Sequence, residues 1–139
     1  ERMRKPTILV ADDDRCVRSA LRKRLTANGY HVLESPDGLG VISQYLKEPV
    51  DAIILDHEMP NGDGRSIAHL IRKESDVPIV FVSGHSREEF RRIVMRLPEV
   101  YFLPKPFDAV KLLDLLASVI QTPRRLGDPA RKNTQGCFC

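Results

Sequence analysis

The chain has 139 residues, 42% of them hydrophobic, which allows one domain with a hydrophobic core but not two domains of ordinary size. Residues 1–121 hold 18 Lys and Arg against 18 Asp and Glu, so this part is neutral and offers no basic stripe to nucleic acid. No apolar run approaches the roughly 20 residues of a membrane span. The three cysteines lack metal-ligand or disulfide spacing. We therefore expect a cytoplasmic protein without nucleic-acid or membrane partners.

Short apolar runs alternate with longer segments of helical periodicity from Thr7 to Gln121. The predicted strands are TILVA (7–11), HVLES (31–35), VDAIIL (50–55), PIVFVS (78–83) and VYFL (100–103). Such alternation predicts a parallel sheet covered by helices on both faces. The predicted fold class is α/β, and for its five βα units we expect a flavodoxin-like (βα)5 doubly wound fold with a parallel five-stranded sheet in the order 2-1-3-4-5.

The apolar residues between the strands predict which helix faces are buried. The predicted faces are Val17, Ala20, Leu21 and Leu25; Leu39, Ile42, Tyr45 and Leu46; Ile67, Leu70 and Ile71; Phe90, Ile93, Val94 and Leu97; and Val110, Leu113, Leu116, Ala117 and Ile120.

Capping and turn residues agree with these helices. Asp14 is a predicted N-cap, Gly29 ends the first helix, PDG (36–38) turns into the second, and SREE (86–89) has the form of a capping box. Residues 122–139 are predicted to be a flexible tail or linker, with Cys137 and Cys139 as free thiols.

Acidic residues gather where this fold binds ligands, at the carboxyl ends of the strands between strands 1 and 3. Asp12, Asp13 and Asp14 follow strand 1, and Asp56 follows strand 3. Crowded carboxylates repel one another unless a cation joins them, and a hard divalent ion with oxygen ligands relieves this conflict. The sequence predicts a Mg²⁺ site, with Mn²⁺ as a substitute, rather than a zinc site, for which it offers no His and Cys set.

A hydroxyl and a lysine follow the last two strands. Ser83 comes at the end of strand 4, and Lys105 follows strand 5 just before Pro106. An attacking carboxylate, a metal and fixed donors for phosphoryl oxygens are what phosphoryl transfer requires. Each residue alone has a plainer explanation as a cap, a turn hydroxyl, a surface charge or, for His57 and His85, a solvated imidazole. The occurrence of the whole set at four strand ends favours a site for phosphoryl transfer.

The segments ILVADDD, IILDHEMPNGDG, IVFVSGH and FLPKPF resemble the receiver domains of two-component response regulators, of the chemotaxis-regulator type, over about residues 6–121. The resemblance implies that Asp56 accepts a phosphoryl group from a phosphohistidine on a sensor histidine kinase or phosphotransfer protein. It also implies that Asp13, Asp56 and the backbone carbonyl of Glu58 bind Mg²⁺ directly, and that Asp12 acts through a coordinated water.

The same resemblance assigns the switch residues. Ser83 would hydrogen-bond the acyl phosphate, Lys105 would pair with it, and Phe102 would turn inward as the switch aromatic. The bond between Lys105 and Pro106 resembles the family's cis peptide.

Some positions depart from the family pattern or vary within it. The chain has Pro98-Glu99 where family members commonly carry Gly-Ala before strand 5, which affects the expected movement of this loop. Glu58 and His85 occupy positions that influence how long the phosphate persists.

Four functions compete for this site. The first is a phosphorylation-switched signalling module whose only catalysis is its own phosphotransfer and autodephosphorylation. The alternative is a Mg²⁺-dependent aspartyl-phosphate phosphohydrolase with Asp56 as nucleophile and Glu58 as second acid, but Met59-Pro60 does not resemble its motif and the chain has no segment for a cap domain. A docking-only receiver conflicts with the intact site residues, and a flavin protein would need a hydroxyl-rich loop after strand 1. The sequence favours the switch.

The last predicted helix carries apolar residues beyond its sheet-facing set. Leu112, Leu115 and Val119 form a second predicted stripe. Our hypothesis from the sequence is that these three residues contact a second protomer or an output partner, on the side formed by the fourth helix, strand 5 and the fifth helix; the alternative is scattered surface apolar residues.

Overall fold

The computed structural model describes residues 5–57, 59, 63–84, 88, 92 and 97–120. Its strands form one parallel sheet in the order β2-β1-β3-β4-β5, which confirms the predicted class and order. The strands are β1 (Thr7–Ala11), β2 (His31–Ser35), β3 (Ala52–Asp56), β4 (Ile79–Ser83) and β5 (Val100–Pro104). The helices are α1 (Arg15–Ala27), α2 (Gly38–Lys47), α3 (Gly64–Glu74) and Ala109–Val119, which we call the last helix. Among these helices, none combines the length and apolar character that crossing a membrane requires.

The strands form where the apolar runs predict them, and their bounds differ from the predicted ones by two residues or fewer. All five residues of β1, β3 and β4 are buried, because central strands of a parallel sheet are covered on both faces. β2 and β5 lie at the two edges of the sheet and keep partly exposed residues.

Successive strand residues point to opposite faces of the sheet and so supply two separate cores. The core with α2 and α3 contains Leu9, Ile53, Leu55, Ile79, Phe81, Val41, Ile67 and Ile71. The core with α1 and the last helix contains Ile8, Val10, Ala52, Ile54, Val80, Val82, Leu21, Leu25, Leu112 and Leu116. Strand β3 therefore gives alternate residues to each core and is fixed from both sides.

Aspartates cap the start of every described helix. The Asp14 side chain accepts hydrogen bonds from the backbone N–H groups of Cys16 and Val17, which confirms the predicted N-cap. The other N-caps are Asp37, Asp63 and Asp108.

Gly29 ends α1, as predicted from the sequence. It adopts φ 89°, and its N–H donates to the carbonyl of Thr26 over 3.2 Å, while the next N–H, of Tyr30, donates to Leu25 over 3.1 Å. This pair of hydrogen bonds is the Schellman termination, which favours glycine at the left-handed position.

The predicted buried faces of α2 and α3 are partly wrong. Leu39 and Leu46 are 69% and 63% exposed, and Leu70 on α3 is 49% exposed. On α2, Val41 is fully buried. With the partly buried Ile42 and Tyr45 it forms an i, i+1, i+4 face toward the sheet, so the predicted set combined residues from two sides of the helix.

The predicted sheet-facing set of the last helix is confirmed at Leu113, Leu116 and Ile120, which lie in or pack against the sheet core, and is wrong at two other positions. Leu112 and Leu116 are fully buried, and Leu115 packs against the same core, whereas Val110 is 58% exposed and Ala117 is exposed. The side that faces the sheet therefore combines members of both predicted stripes, Leu112 and Leu115 with Leu113, Leu116 and Ile120. The hypothesis that Leu112 contacts a partner is therefore wrong, because the core of the same domain buries it, whereas for the partly buried Leu115 and Val119 the hypothesis stays a prediction.

The loop before β5 has an unusual backbone conformation at the position where the sequence departs from the family pattern. Glu99 adopts φ 55°, a left-handed conformation that costs a residue other than glycine roughly 1–2 kcal/mol. Its carbonyl accepts hydrogen bonds from the N–H of Ile79 at 3.0 Å and from Nη2 of Arg72 at 3.3 Å. These two contacts hold the conformation in place.

Several predictions fall outside the described residues. They are the SREE capping box, the apolar face Phe90, Ile93 and Val94, and the tail 122–139 with Cys137 and Cys139. The division into residues 1–121 and a tail stays a prediction.

Candidate functional site

Three carboxylates meet at the carboxyl edge of the sheet. Asp12 and Asp13 follow β1, and Asp56 is the last residue of β3, which pairs directly with β1. Each of the three offers an oxygen, and these oxygens all lie within 4.8 Å of one another. Asp12 and Asp56 are buried, with exposures of 5% and 4%, and Asp13 is exposed. The structure thus brings together the acids that the sequence placed at two neighbouring strand ends.

The acid group combines burial of two of its carboxylates with mutual repulsion. Burial raises the pKa of the Asp12 carboxyl above its ordinary value, and the neighbouring carboxylates of Asp56 and Asp13 act in the same direction. The hydrogen bond from the Asp14 N–H and the charge of Lys105 oppose this increase. A cation bound between the carboxylates would favour their charged forms, so the donor set fits a hard divalent ion such as Mg²⁺.

Lys105 reaches the acid group from the end of β5. Its Nζ lies 3.3 Å from Oδ1 of Asp56, and the lysine side chain is 37% exposed. Its backbone N–H donates to the carbonyl of Ser83 over 2.9 Å, and the peptide bond to Pro106 is cis, as the family resemblance implied. The lysine is therefore held at the end of its strand with its ammonium group beside the Asp56 carboxylate.

Ser83 and Phe102 occupy the neighbouring strand ends. Ser83 is the last residue of β4 and is buried, and β4 pairs with β3 so that Val82 lies opposite Asp56. Phe102 lies in β5 opposite Phe81 and is partly buried. Both predicted switch residues thus lie on strands next to the acid group, and both make further contacts. Glu58 and His85, the two predicted lifetime positions, lie outside the described residues.

The start of α3 approaches the end of β3 closely. The N–H of Gly64 donates to the carbonyl of His57 over 3.2 Å. A Cβ atom at position 64 would lie 2.7 Å from Cε1 of Phe81 and 3.1 Å from the Cα of His57. Position 64 therefore has no room for a side chain while α3 keeps this position at the end of β3.

The sequence did not reveal one group beside the site, a pair of α1 arginines that bind a glutamate of β2. Nε of Arg18 lies 3.2 Å from the Glu34 carboxylate, and Nε of Arg22 binds the other oxygen of the same carboxylate. Nη1 of Arg18 also donates to the backbone carbonyl of Asp12 over 2.7 Å. The hydrogen bond from Arg22 is the main cause that lowers the pKa of Glu34, with Arg18 contributing in the same direction. Only the i, i+4 spacing of the arginines hinted at a common partner.

Comparison with known proteins gives one consistent family. The model of the response regulator receiver domain matches residues 8–117. A probable transcriptional regulator ycf27 from Galdieria sulphuraria is 37% identical over 109 residues, which cover 78% of this chain and 43% of the relative. The response regulator MprA from Mycobacterium ulcerans is 32% identical over 132 residues, covering 94% of this chain and 57% of the relative.

Solved structures agree with this assignment. The receiver domain of the Francisella response regulator 1452 is 26% identical with a TM-score of 0.77, covering 83% of this chain and 96% of that chain. The receiver domain of the sensor histidine kinase PA1611 from Pseudomonas aeruginosa, solved with a magnesium ion coordinated in its active site cleft, is 25% identical with a TM-score of 0.75, covering 84% and 98%.

The fold and the acidic site define a receiver domain, a signalling module of two-component systems. The chain belongs to the response regulator receiver family. The chain spans about half the length of the curated relatives that it matches.

Proposed function

We propose that Asp56 is the phosphoacceptor of this receiver and that Asp12, Asp13 and Asp56, with the Glu58 carbonyl, hold Mg²⁺. The observation that carries the proposal is the ammonium group of Lys105, 3.3 Å from an Asp56 oxygen, beside three carboxylates whose oxygens lie within 4.8 Å. Asp56 alone combines a strand-end position, facing acids and a lysine contact among the described carboxylates.

The chemistry follows from this arrangement. A carboxylate oxygen of Asp56 attacks the phosphorus of a phosphohistidine, the P–N bond breaks, and the imidazole leaves with the bonding electron pair. Bound Mg²⁺ supplies neutralisation of the phosphoryl oxygens, and Mn²⁺ is proposed to replace it. Lys105 pairs with a phosphoryl oxygen, for which its ammonium group is already next to the attacked carboxylate. Water later cleaves the acyl phosphate, so the module returns to its starting state by autodephosphorylation.

Phosphorylation changes the charge at the carboxyl edge of the sheet. An aspartyl phosphate adds about −1.5 to −2 of charge and new acceptor oxygens, by analogy with other phosphorylated side chains. We expect the Ser83 hydroxyl to hydrogen-bond the phosphate and Phe102 to move into the space that opens, with Glu58 and His85 affecting how long the phosphate persists. The proposed donor is a sensor histidine kinase or a phosphotransfer protein, and the proposed output side is that of β5 and the last helix, through its exposed residues.

We propose a switch rather than the Mg²⁺-dependent phosphohydrolase. The receiver match over residues 8–117 supports the switch, since its relatives are response regulators.

Intact-mass analysis after incubation with Mg²⁺ and acetyl phosphate tests the phosphoacceptor. We expect one phosphoryl group on the wild type and none on Asp56→Asn. The matched control is Asp63→Asn, because asparagine still caps α3 and only the charge is removed. A phosphate adduct on Asp56→Asn at the wild-type level would contradict the assignment, and normal Mg²⁺-dependent phosphorylation of Asp13→Lys would contradict the ligand set.

A further inference from the structure

The loop that carries the acids is fixed at its backbone as well as at its side chains. The N–H of Asp12 donates to the carbonyl of Ser35 over 3.1 Å, and its Oδ1 accepts from the N–H of Asp14 at 2.8 Å. The carbonyl of Asp12 accepts from Nη1 of Arg18 at 2.7 Å. That last contact is the one made by a side chain from α1.

Arg18 is itself held in place. Its side chain is 14% exposed, and Nε binds Glu34 of β2, which pairs with Val10 of β1 in the sheet. Because the guanidinium is planar, its Nε and Nη1 contacts fix its orientation together. The position of the Asp12 carbonyl is therefore set by α1 and β2, two regular elements, rather than by the loop alone.

The contact between Arg18 and the Asp12 carbonyl matters because the next residue along the backbone is Asp13, another member of the acid group. The Asp12 carbonyl and the Asp13 nitrogen belong to one planar group, so a fixed carbonyl also restricts the backbone that carries the Asp13 carboxylate. Like charges at 12, 13 and 56 would otherwise push the loop away from β3. The contact that Arg18 makes with this loop is with its backbone, at the Asp12 carbonyl.

We infer that Arg18 is a positioning residue for the Mg²⁺ site: it holds the Asp12–Asp13 peptide so that both carboxylates face Asp56. The inference rests on the proposed function of the acid group. It assigns to Arg18 a role distinct from that of Arg22, which binds the same glutamate but whose second contact, from Nη2, is with the carbonyl of Val32 at 3.2 Å, away from the acids.

The test compares Arg18→Gln with Arg22→Gln as a matched control, since each variant removes one positive charge and one partner of Glu34. Mg²⁺ affinity is measured from amide chemical shifts during titration with MgCl₂, and stability from urea unfolding. We expect Arg18→Gln to weaken Mg²⁺ binding about tenfold, the size typical of residues that orient metal ligands. Arg22→Gln should leave the affinity within about twofold, and Arg18→Lys should restore part of the loss, because an ammonium group can reach the carbonyl but cannot form the fork.

A second readout separates positioning from general loosening of the fold. Phosphorylation by acetyl phosphate should need more Mg²⁺ for half-maximal rate in Arg18→Gln, with the maximal rate recovered at saturating Mg²⁺. Unchanged Mg²⁺ affinity in Arg18→Gln, or an equal loss in Arg22→Gln, would overturn the inference; if Arg18→Gln does not fold, Arg18→Lys is compared with Arg22→Lys by the same criterion. Asp56→Asn distinguishes the two proposals: if it abolishes phosphorylation while Arg18→Gln binds Mg²⁺ normally, only the role of Arg18 fails.

Discussion

Replacing Leu112 by alanine tests which side of the last helix faces the sheet. Leu112 is 0% exposed, in the core with Leu116. The substitution removes three buried carbon atoms, worth about 2.4 kcal/mol at about 0.8 kcal/mol each. The cavity left behind adds to this, so we expect a loss of about 3–4 kcal/mol in the free energy of unfolding. Val110 is 58% exposed, and Val110→Ala should change the free energy by less than about 0.5 kcal/mol.

Urea unfolding followed by far-UV circular dichroism measures both variants, and it suits this chain because the sequence has no tryptophan. The slope with urea should stay constant, so that the shift in midpoint reports stability alone. Equal losses for the two variants, or a loss below about 1 kcal/mol for Leu112→Ala, would refute the assignment of the buried face. Such a result would restore the hypothesis that Leu112 faces a partner.

Two further predictions concern the surroundings of the site. Gly64→Ala should cost about 1–3 kcal/mol, because its Cβ would lie 2.7 Å from Cε1 of Phe81, whereas Gly84→Ala has no neighbour within 4 Å and should be nearly neutral; equal urea midpoints would contradict this. The lowered pKa of Glu34, caused first by its hydrogen bond from Arg22, means that the folded state binds fewer protons than the unfolded state near the ordinary value of 4.5. The stability advantage of wild type over Glu34→Gln should therefore be present above that pH and shrink as pH falls through the folded pKa, and a constant difference between pH 7 and acid would contradict it.

The strands and the acid group were predictable because they depend on local patterns and on one topological rule. Buried five-residue runs identify β1, β3 and β4, and the strand order then brings the ends that carry Asp12 and Asp56 together. The buried side of a helix rich in apolar residues was less predictable, as Leu112 and Leu39 demonstrate. Such helices offer two plausible stripes, and the choice depends on packing against distant strands.

Contacts between distant residues left little signal in the sequence. Arg18 meets the Asp12 carbonyl only because α1 folds back along β1, and side-chain binding to a backbone group requires no particular residue at the acceptor position. The left-handed conformation of Glu99 runs against the usual preference for glycine, and its carbonyl accepts hydrogen bonds from Arg72 and Ile79, which are distant in sequence. These features depend on three-dimensional neighbours and could not be read from local propensities.

Strand β3 gives Ile53 and Leu55 to one core and Ala52 and Ile54 to the other, and this makes the position of Asp56 discrete rather than adjustable. A shift of one residue would exchange the two sets and bury each against the wrong helices, and intermediate positions would break the sheet hydrogen bonds. The pairing of β3 within the sheet therefore fixes the position of the Asp56 carboxylate. The side chains around Asp56 can therefore differ in length and charge, and so change the chemistry of the site, while the position of the Asp56 carboxylate stays the same.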